Sequence, residues 1–321
     1  MKAAIYTQYG PPEVVQVQTV PQPTPKQNEI LIRVYASTLN RTDCGFRSAQ
    51  YVISRLFSGL LKPKLSVLGC EFAGEVVEVG AAVTQFTVGD RVFGFDDAGF
   101  GGHAEYKTIR ENGPVSAIPE GLGYADAAPI TEGSHYALNG IRAAKVQGGD
   151  RVMVYGATGA IGSAAVQLLK HIGAYVVAVC NTKNMERMRS LGADEVIDYT
   201  QQDFRDTPHR FDLVLDAVGK RSFGQCKPLL KPKGIYISTE LGKRSENIFL
   251  AMITPLGGGR RVLFPIPRID QALVRWLGEL VATGQFKPVI DERQYTLDDI
   301  VEAYRYVETG QKTGNVILQI P

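Results

Sequence analysis

The chain has 321 residues, 44% hydrophobic and 21% charged, which suits about two ordinary globular domains and argues against a disordered chain. Thirty-five Lys and Arg against 33 Asp and Glu leave a formal charge of +2, with no basic block to track a phosphate backbone, so no nucleic-acid partner is expected. No apolar run reaches the roughly 18 residues of a membrane span, residues 1–8 lack a signal-peptide core, and Cys44, Cys70, Cys180 and Cys226 form no C-x-x-C pair. A cytoplasmic protein without a disulfide scaffold or a four-cysteine zinc lobe is expected.

Residues 1 to about 125 read as mostly β. Pro21, Pro23 and Pro25 space a connector that cannot be helical, and residues 29–35 (EILIRVY) then read as a strand. Residues 72–80 alternate and end on glycine, and residues 88–94 place a turn before a short strand. Such spacing predicts a compact barrel rather than a parallel sheet. From about residue 126 the rhythm changes. Residues 125–144 are alanine-rich with helical spacing. Strand-like runs at 151–155, 175–179, 195–198, 211–216 and 234–238 then alternate with helical patterns at 163–171, 184–191 and near 222–230. Residues 259–264 read as the last strand of this series. Apolar strands alternating with helices predict an α/β domain with a doubly wound parallel sheet between about 126 and about 265. In the tail, Ala272, Leu273, Trp276, Leu277 and Leu280 fall at helical spacing, Thr296 reads as an N-cap before an acidic first turn, and residues 315–320 read as a closing strand that rejoins the barrel. The expected division is 1–125 with 288–321 for the barrel domain and 126–287 for the α/β domain.

Gly156, Ala157, Thr158, Gly159, Ala160, Ile161 and Gly162 lie directly between an apolar strand and a helical pattern. A diphosphate needs bare backbone N–H groups at a helix N-terminus, and side chains there would block it. A tight turn with one packing glycine is the plainer alternative, and it leaves the other glycines unexplained. An NAD site usually carries Asp or Glu about 20 residues later, on the ribose 2′-hydroxyl. Here the second strand runs into Cys180, Asn181, Thr182 and Lys183. An amide, a hydroxyl and a cation suit a 2′-phosphate, so NADPH is the expected cofactor; the same residues can also cap the next helix.

The chain resembles the zinc-independent quinone oxidoreductase branch of the medium-chain dehydrogenase/reductase superfamily. The motifs are Leu39-Asn-Arg-Thr-Asp43, Gly69-Cys-Glu-Phe-Ala-Gly74, Val88-Gly-Asp-Arg-Val-Phe-Gly94, the glycine loop, Leu191-Gly-Ala-Asp-Glu-Val-Ile-Asp-Tyr199, Phe211-Asp-Leu-Val-Leu-Asp-Ala-Val-Gly219 and Lys312-Thr-Gly-Asn-Val-Ile-Leu318. The resemblance implies a Rossmann domain, a GroES-like β-barrel catalytic domain and a cleft between them. Zinc alcohol dehydrogenases of this superfamily place Cys before x-Thr-Asp, His-Glu after a glycine, and a third Cys just before the Rossmann domain. This chain has Asn40, Cys70 and Thr131 there, a poor ligand set for zinc, so no metal is expected.

By the same resemblance Asn40 faces the nicotinamide and substrate, Asp43 lies beside it, and His135 is a candidate hydrogen-bond donor, although a packed helical histidine reads equally well. Tyr51 opens an apolar stretch at 51–61 that reads as a hydrophobic lid on the substrate side. Tyr199 is expected near the adenosine, with Val218 and Asn315 (where lysine is common in the branch) also on the cofactor side. Residues 259–264 form the sheet edge that often pairs between subunits, so a homodimer is expected. The function implied is hydride transfer from NADPH to quinones or α,β-unsaturated carbonyls. A zinc-type alcohol dehydrogenase, and an NADPH-binding protein with incidental catalysis like the lens crystallins of this fold, are the alternatives.

Overall fold

The structure is a computed structural model that describes residues 1–49, 55 and 58–321. Its strands in chain order are β1 (Lys2–Ile5), β2 (Gln16–Thr19), β3 (Glu29–Leu39), β4 (Glu71–Val79), β5 (Arg91–Phe95), β6 (Tyr106–Arg110), β7 (Val115–Ala117), β8 (Arg151–Tyr155), β9 (Tyr175–Cys180), β10 (Glu195–Asp198), β11 (Phe211–Asp216), β12 (Leu230–Ser238), β13 (Arg261–Leu263), β14 (Ile290–Thr296) and β15 (Asn315–Gln319). They divide between two compact units, one of Met1–Glu132, Ile269–Gly284 and Pro288–Pro321, the other of Gly133–Arg268 with Gln285–Lys287.

The first unit is built on β3. One edge of this long strand pairs antiparallel with β4; the other takes β6 along Glu29–Arg33 and β15 along Ala36–Leu39. Register shifts between Leu31/Ile32 and Val34/Ala36 mark irregularities in the β3–β4 ladder, of the kind that bends a strand. With β5 and β7 beyond β4 and β14 beyond β15, the sheet has seven strands. Ile30, Ile32, Val34, Phe72, Phe93 and Val316 are fully buried and fill its core. The closing strand therefore does return to the barrel, beside β3.

The observed limits differ from the expected ones at two places. Pro129 breaks the alanine-rich stretch into a short helix, Tyr124–Ala127, a 3-10 turn and a helix at Glu132–Ala144; the first two pack on β3 and β4 and stay with the first unit. The helix Gln271–Ala282, capped by the Asp270 carboxylate, packs on β7, and its Gly278 lies against the Phe93 ring. Residues 269–284 thus belong with the barrel.

The second unit holds a six-stranded parallel sheet in the order β10-β9-β8-β11-β12-β13. Alternation along each strand feeds both faces. Met153, Tyr155, Val177, Val179 and Val214 pack with Phe223, Cys226 and Leu229 on one side, and the intervening Val152, Val154, Val176 and Ala178 are equally buried. The helix Ala160–Ile172 ends at Gly173, whose φ of 86° lets its N–H return to Leu169 and Lys170 carbonyls. Among the described residues no helix is long and apolar enough to cross a membrane.

Candidate functional site

In a sheet of this order the reversal falls between β8 and β11, and ligands sit beyond the carboxyl ends of the strands there. The glycine loop leaves β8 at that point. Gly156 adopts φ +75°, and a Cβ on it would meet the Val218 side chain at 2.6 Å. A Cβ on Gly162 would stand 2.2 Å from the Gly156 carbonyl oxygen, so this glycine lets the helix seat against the loop. Gly159 differs: its nearest non-neighbouring atom would be 3.8 Å away, and as N-cap it brings no side chain to the helix start. Ala157 and Ala160 are buried, Thr158 and Ile161 half-buried. The first-turn N–H groups thus lie under a bare surface, which fits a diphosphate.

The residues expected to meet the nucleotide's ribose follow β9, and an acid joins them. Asn181 N-caps a turn through Thr182, Lys183 and Asn184, and the Asn184 amide donates to its side-chain oxygen at 2.7 Å. Lys183 is exposed. Thr182 donates its hydroxyl to Asp198, the β10 residue paired with Cys180, and this bond holds the Asp198 carboxyl below the ordinary range. A carboxylate is therefore present after all, on the neighbouring strand, where Thr200 N–H and hydroxyl also donate to it. Tyr199 is about half exposed and lies 6.4 Å from the Tyr155 ring. Arg221, which sequence reasoning missed, stacks on Tyr155 and Phe204 and borders a cavity of about 400 Å³ with Tyr199 and Gln225.

In the first unit, Asn40 and Asp43 sit where β3 ends and the helix Arg41–Ser48 begins. They form a reciprocal cap: Asp43 N–H donates to Asn40 Oδ1 at 3.1 Å, and Asn40 N–H to Asp43 Oδ2 at 3.2 Å. Asp43 is fully buried, takes the Gly69 N–H at 3.0 Å, and lies 3.9 Å from His103 Nε2, which donates to the Thr38 carbonyl. Burial raises its carboxyl above the ordinary range, against the pull of His103 and the backbone donors. The Asn40 amide donates to Cys70 Sγ at 3.1 Å, and burial pushes that thiol well above its usual range.

Behind this pair lies a second buried acid. Glu71 accepts from Thr38 Oγ1 (2.6 Å), Thr131 N–H (3.0 Å), Thr131 Oγ1 (2.8 Å) and Glu132 N–H (2.6 Å). Glu132 in turn accepts from Thr42 Oγ1 at 2.9 Å. Desolvation and the Glu71 charge raise Glu132 to about 8, with Lys312 pulling the other way. A cavity of about 510 Å³ in the same unit is lined by Tyr6, Phe46, Lys64, Leu65, Asp97 and Phe100 among others. Three aromatic rings, those of Tyr6, Phe46 and Phe100, stand there beside the charged Lys64 and Asp97.

The remaining expected residues are placed as follows. His135 is buried on the helix Glu132–Ala144, its ring 4.5 Å from Tyr136. Asn315 is buried in the first unit, where its amide donates to the Val289 carbonyl at 2.9 Å and ties β15 to the start of β14. Tyr51 and most of the 51–61 stretch lie outside the described residues. The acids Glu71 and Glu132 were missed as a pair: Glu71 stands inside a quoted motif, but nothing in the spacing of 71 and 132 signals that they meet.

Two family models match the chain. Residues 26–120 match the alcohol dehydrogenase GroES-like domain and residues 191–318 a domain described as zinc-binding dehydrogenase. The 2-methylene-furan-3-one reductase of Solanum lycopersicum is 32% identical over 329 aligned positions, spanning 99% of this chain and 79% of that protein. The chloroplastic NADPH-dependent alkenal/one oxidoreductase of Arabidopsis thaliana is 30% identical with the same coverage. The solved structure of a quinone oxidoreductase from Coxiella burnetii superposes with a TM-score of 0.88 at 28% identity, covering 100% of this chain and 99% of that one. A parallel sheet of this order, joined to a GroES-like domain, defines an NAD(P)-linked oxidoreductase acting on a small molecule. The chain belongs to the quinone oxidoreductase branch of the medium-chain dehydrogenase/reductase superfamily.

Proposed function

We propose that the chain is an NADPH-dependent reductase of quinones and α,β-unsaturated carbonyls that works without zinc. The observation that carries the reading is the Asn40–Cys70 hydrogen bond. Zinc relatives spend these positions on a thiolate and an imidazole; here an amide donates to a neutral thiol, and Thr131 gives its hydroxyl to Glu71. These groups do not fit a catalytic zinc, which wants ionised sulfur or imidazole nitrogen. Without a strong Lewis acid, acceptors that are already electron-poor are favoured. The names of the relatives, an enone-type furanone reductase and an alkenal/one oxidoreductase, point the same way.

The glycine loop fits the diphosphate, and Gly159, Ala160, Ile161 and Gly162 would hold it through backbone N–H groups. Bound there, the nicotinamide cofactor supplies the hydride. Lys183, exposed beside Thr182, supports a 2′-phosphate and hence NADPH over NADH. Tyr199 and Val218 would flank the adenosine, and Asn40 would orient the carbonyl or the nicotinamide. A homodimer is supported by the outer edge of β13 and by exposed Phe249, Met252, Leu256 and Ile266 in the segments flanking it. The test is NADPH oxidation by a panel of naphthoquinones, phenanthrenequinone and enones, run beside secondary alcohols with NADP; a panel without turnover of any quinone or enone contradicts the reading.

A further inference from the structure

The acid that β10 brings beside the end of β9 bears on the choice of cofactor, and the inference rests on reading residues 181–183 as the groups that meet a 2′-phosphate. Asp198 pairs with Cys180, and the Tyr199 N–H then donates to the Cys180 carbonyl at 3.0 Å. The two strand ends therefore leave the sheet side by side, at the end where a sheet of this kind meets the ribose. Asp198 is buried, while Thr182, Lys183, Tyr199 and Thr200 around it are exposed.

The Asp198 carboxylate collects the protons of its neighbours. Thr182 Oγ1 donates to Oδ2, and Thr200 gives Oδ1 both its N–H at 2.9 Å and its hydroxyl at 2.7 Å. The two hydroxyl oxygens stand 3.1 Å apart. A hydroxyl has one proton, and here both lie on the carboxylate. Toward a ligand, Thr182 therefore offers lone pairs only. A ribose hydroxyl can donate to such an oxygen; a phosphate dianion, which only accepts, cannot use it. The same bonds, that of Thr182 first, hold the acid ionised, below the ordinary carboxylate range.

We propose that Asp198 limits how strongly the chain prefers NADPH. It withholds the Thr182 proton from the 2′-phosphate and sets a negative charge near it, so the pull of Lys183 is partly offset and NADH is accepted as well. Asp198 is thus a specificity-determining residue that acts through Thr182. The isosteric amide reverses the arrangement. In Asp198→Asn the side-chain oxygen can keep the Thr200 donors, while the amide nitrogen donates to Thr182 Oγ1. The Thr182 proton is then free for a phosphate, and the opposing charge is gone.

The test titrates two cofactor fragments by calorimetry, adenosine 2′,5′-bisphosphate and adenosine 5′-monophosphate, which differ only in the 2′-phosphate. The parent should bind the bisphosphate more tightly. Asp198→Asn should tighten the bisphosphate about tenfold further and leave the monophosphate within about twofold. Adding Thr182→Val to Asp198→Asn should remove most of that gain, a coupling read from the double-mutant cycle. Asp198→Ser, which also removes the charge, should shift the ratio in the same direction and serves if the amide destabilises the fold; thermal unfolding checks each variant. A folded Asp198→Asn or Asp198→Ser whose ratio of affinities equals the parent's overturns the proposal alone, as does a gain left whole by Thr182→Val. A parent with equal affinity for the two fragments overturns the reading of residues 181–183, and this role with it.

Discussion

The Asn40 amide nitrogen stands 3.1 Å from the Cys70 sulfur and donates to it. They stand at two of the three positions where, by resemblance, zinc relatives carry metal ligands, and here they are hydrogen-bonded to one another. Cys70 is fully buried, and desolvation, with the acids Asp43 and Glu71 nearby, keeps the thiol protonated. A metal would have to ionise that thiol and displace the amide.

It follows that chelation should leave activity unchanged. Protein purified from zinc-supplemented cells and dialysed against a chelator should hold far less than one zinc per chain by elemental analysis, with the same rate before and after. One tightly held zinc whose removal abolishes turnover contradicts this.

The glycine loop allows a sharp contrast. Gly159→Ala adds a methyl that meets the Gly156 carbonyl oxygen only at van der Waals distance, 3.8 Å, so thermal stability should hold while NADPH binding weakens about tenfold or more, because the methyl intrudes where the diphosphate would approach. Gly162→Ala puts the methyl 2.2 Å from the Gly156 carbonyl oxygen, and should destabilise the protein by about 1–3 kcal/mol. Calorimetry and a binding titration separate the two.

Lys183 carries the cofactor choice. Lys183→Glu should lower NADPH affinity about tenfold or more while leaving NADH nearly unaffected, since the 2′-phosphate is the group that meets the changed charge. Equal affinities of the parent for the two cofactors contradict the assignment.

Glu132 also predicts a pH dependence of stability. Its carboxyl is raised from an ordinary 4.5 to about 8 in the folded chain. The folded state therefore holds a proton that the unfolded state releases. The contribution is fully present below about 4.5 and is lost progressively as pH rises through about 8. Denaturant midpoints of the parent should fall over that window relative to those of Glu132→Gln, which carries no such proton. Parallel curves for the two proteins contradict the shift.

Much of this was legible in the sequence because it is local. The β8–glycine–helix unit is a run of consecutive residues, and the Asn40–Asp43 cap spans four positions. What was not legible depends on pairing between distant segments. Asp198 supplies a carboxylate beside Thr182 only because β10 lies next to β9 in register with Cys180. Glu132 meets Thr42, and Glu71 meets Thr131, across separations of 90 and 60 residues. The helix Gln271–Ala282 has the periodicity of any amphipathic helix, and its spacing does not say which sheet it covers; Gly278 against Phe93 decides that in three dimensions.

The most direct measurement is a competition between two half-reactions on metal-depleted protein: NADPH oxidation by a conjugated enone, and NADP reduction by the matching secondary alcohol. The account expects rapid enone reduction, little or no alcohol oxidation, and a fall of about a hundredfold in the enone rate for Asn40→Ala, as when a carbonyl-orienting donor is removed. Alcohol oxidation that outpaces enone and quinone reduction, or an Asn40→Ala variant as fast as the parent, contradicts it.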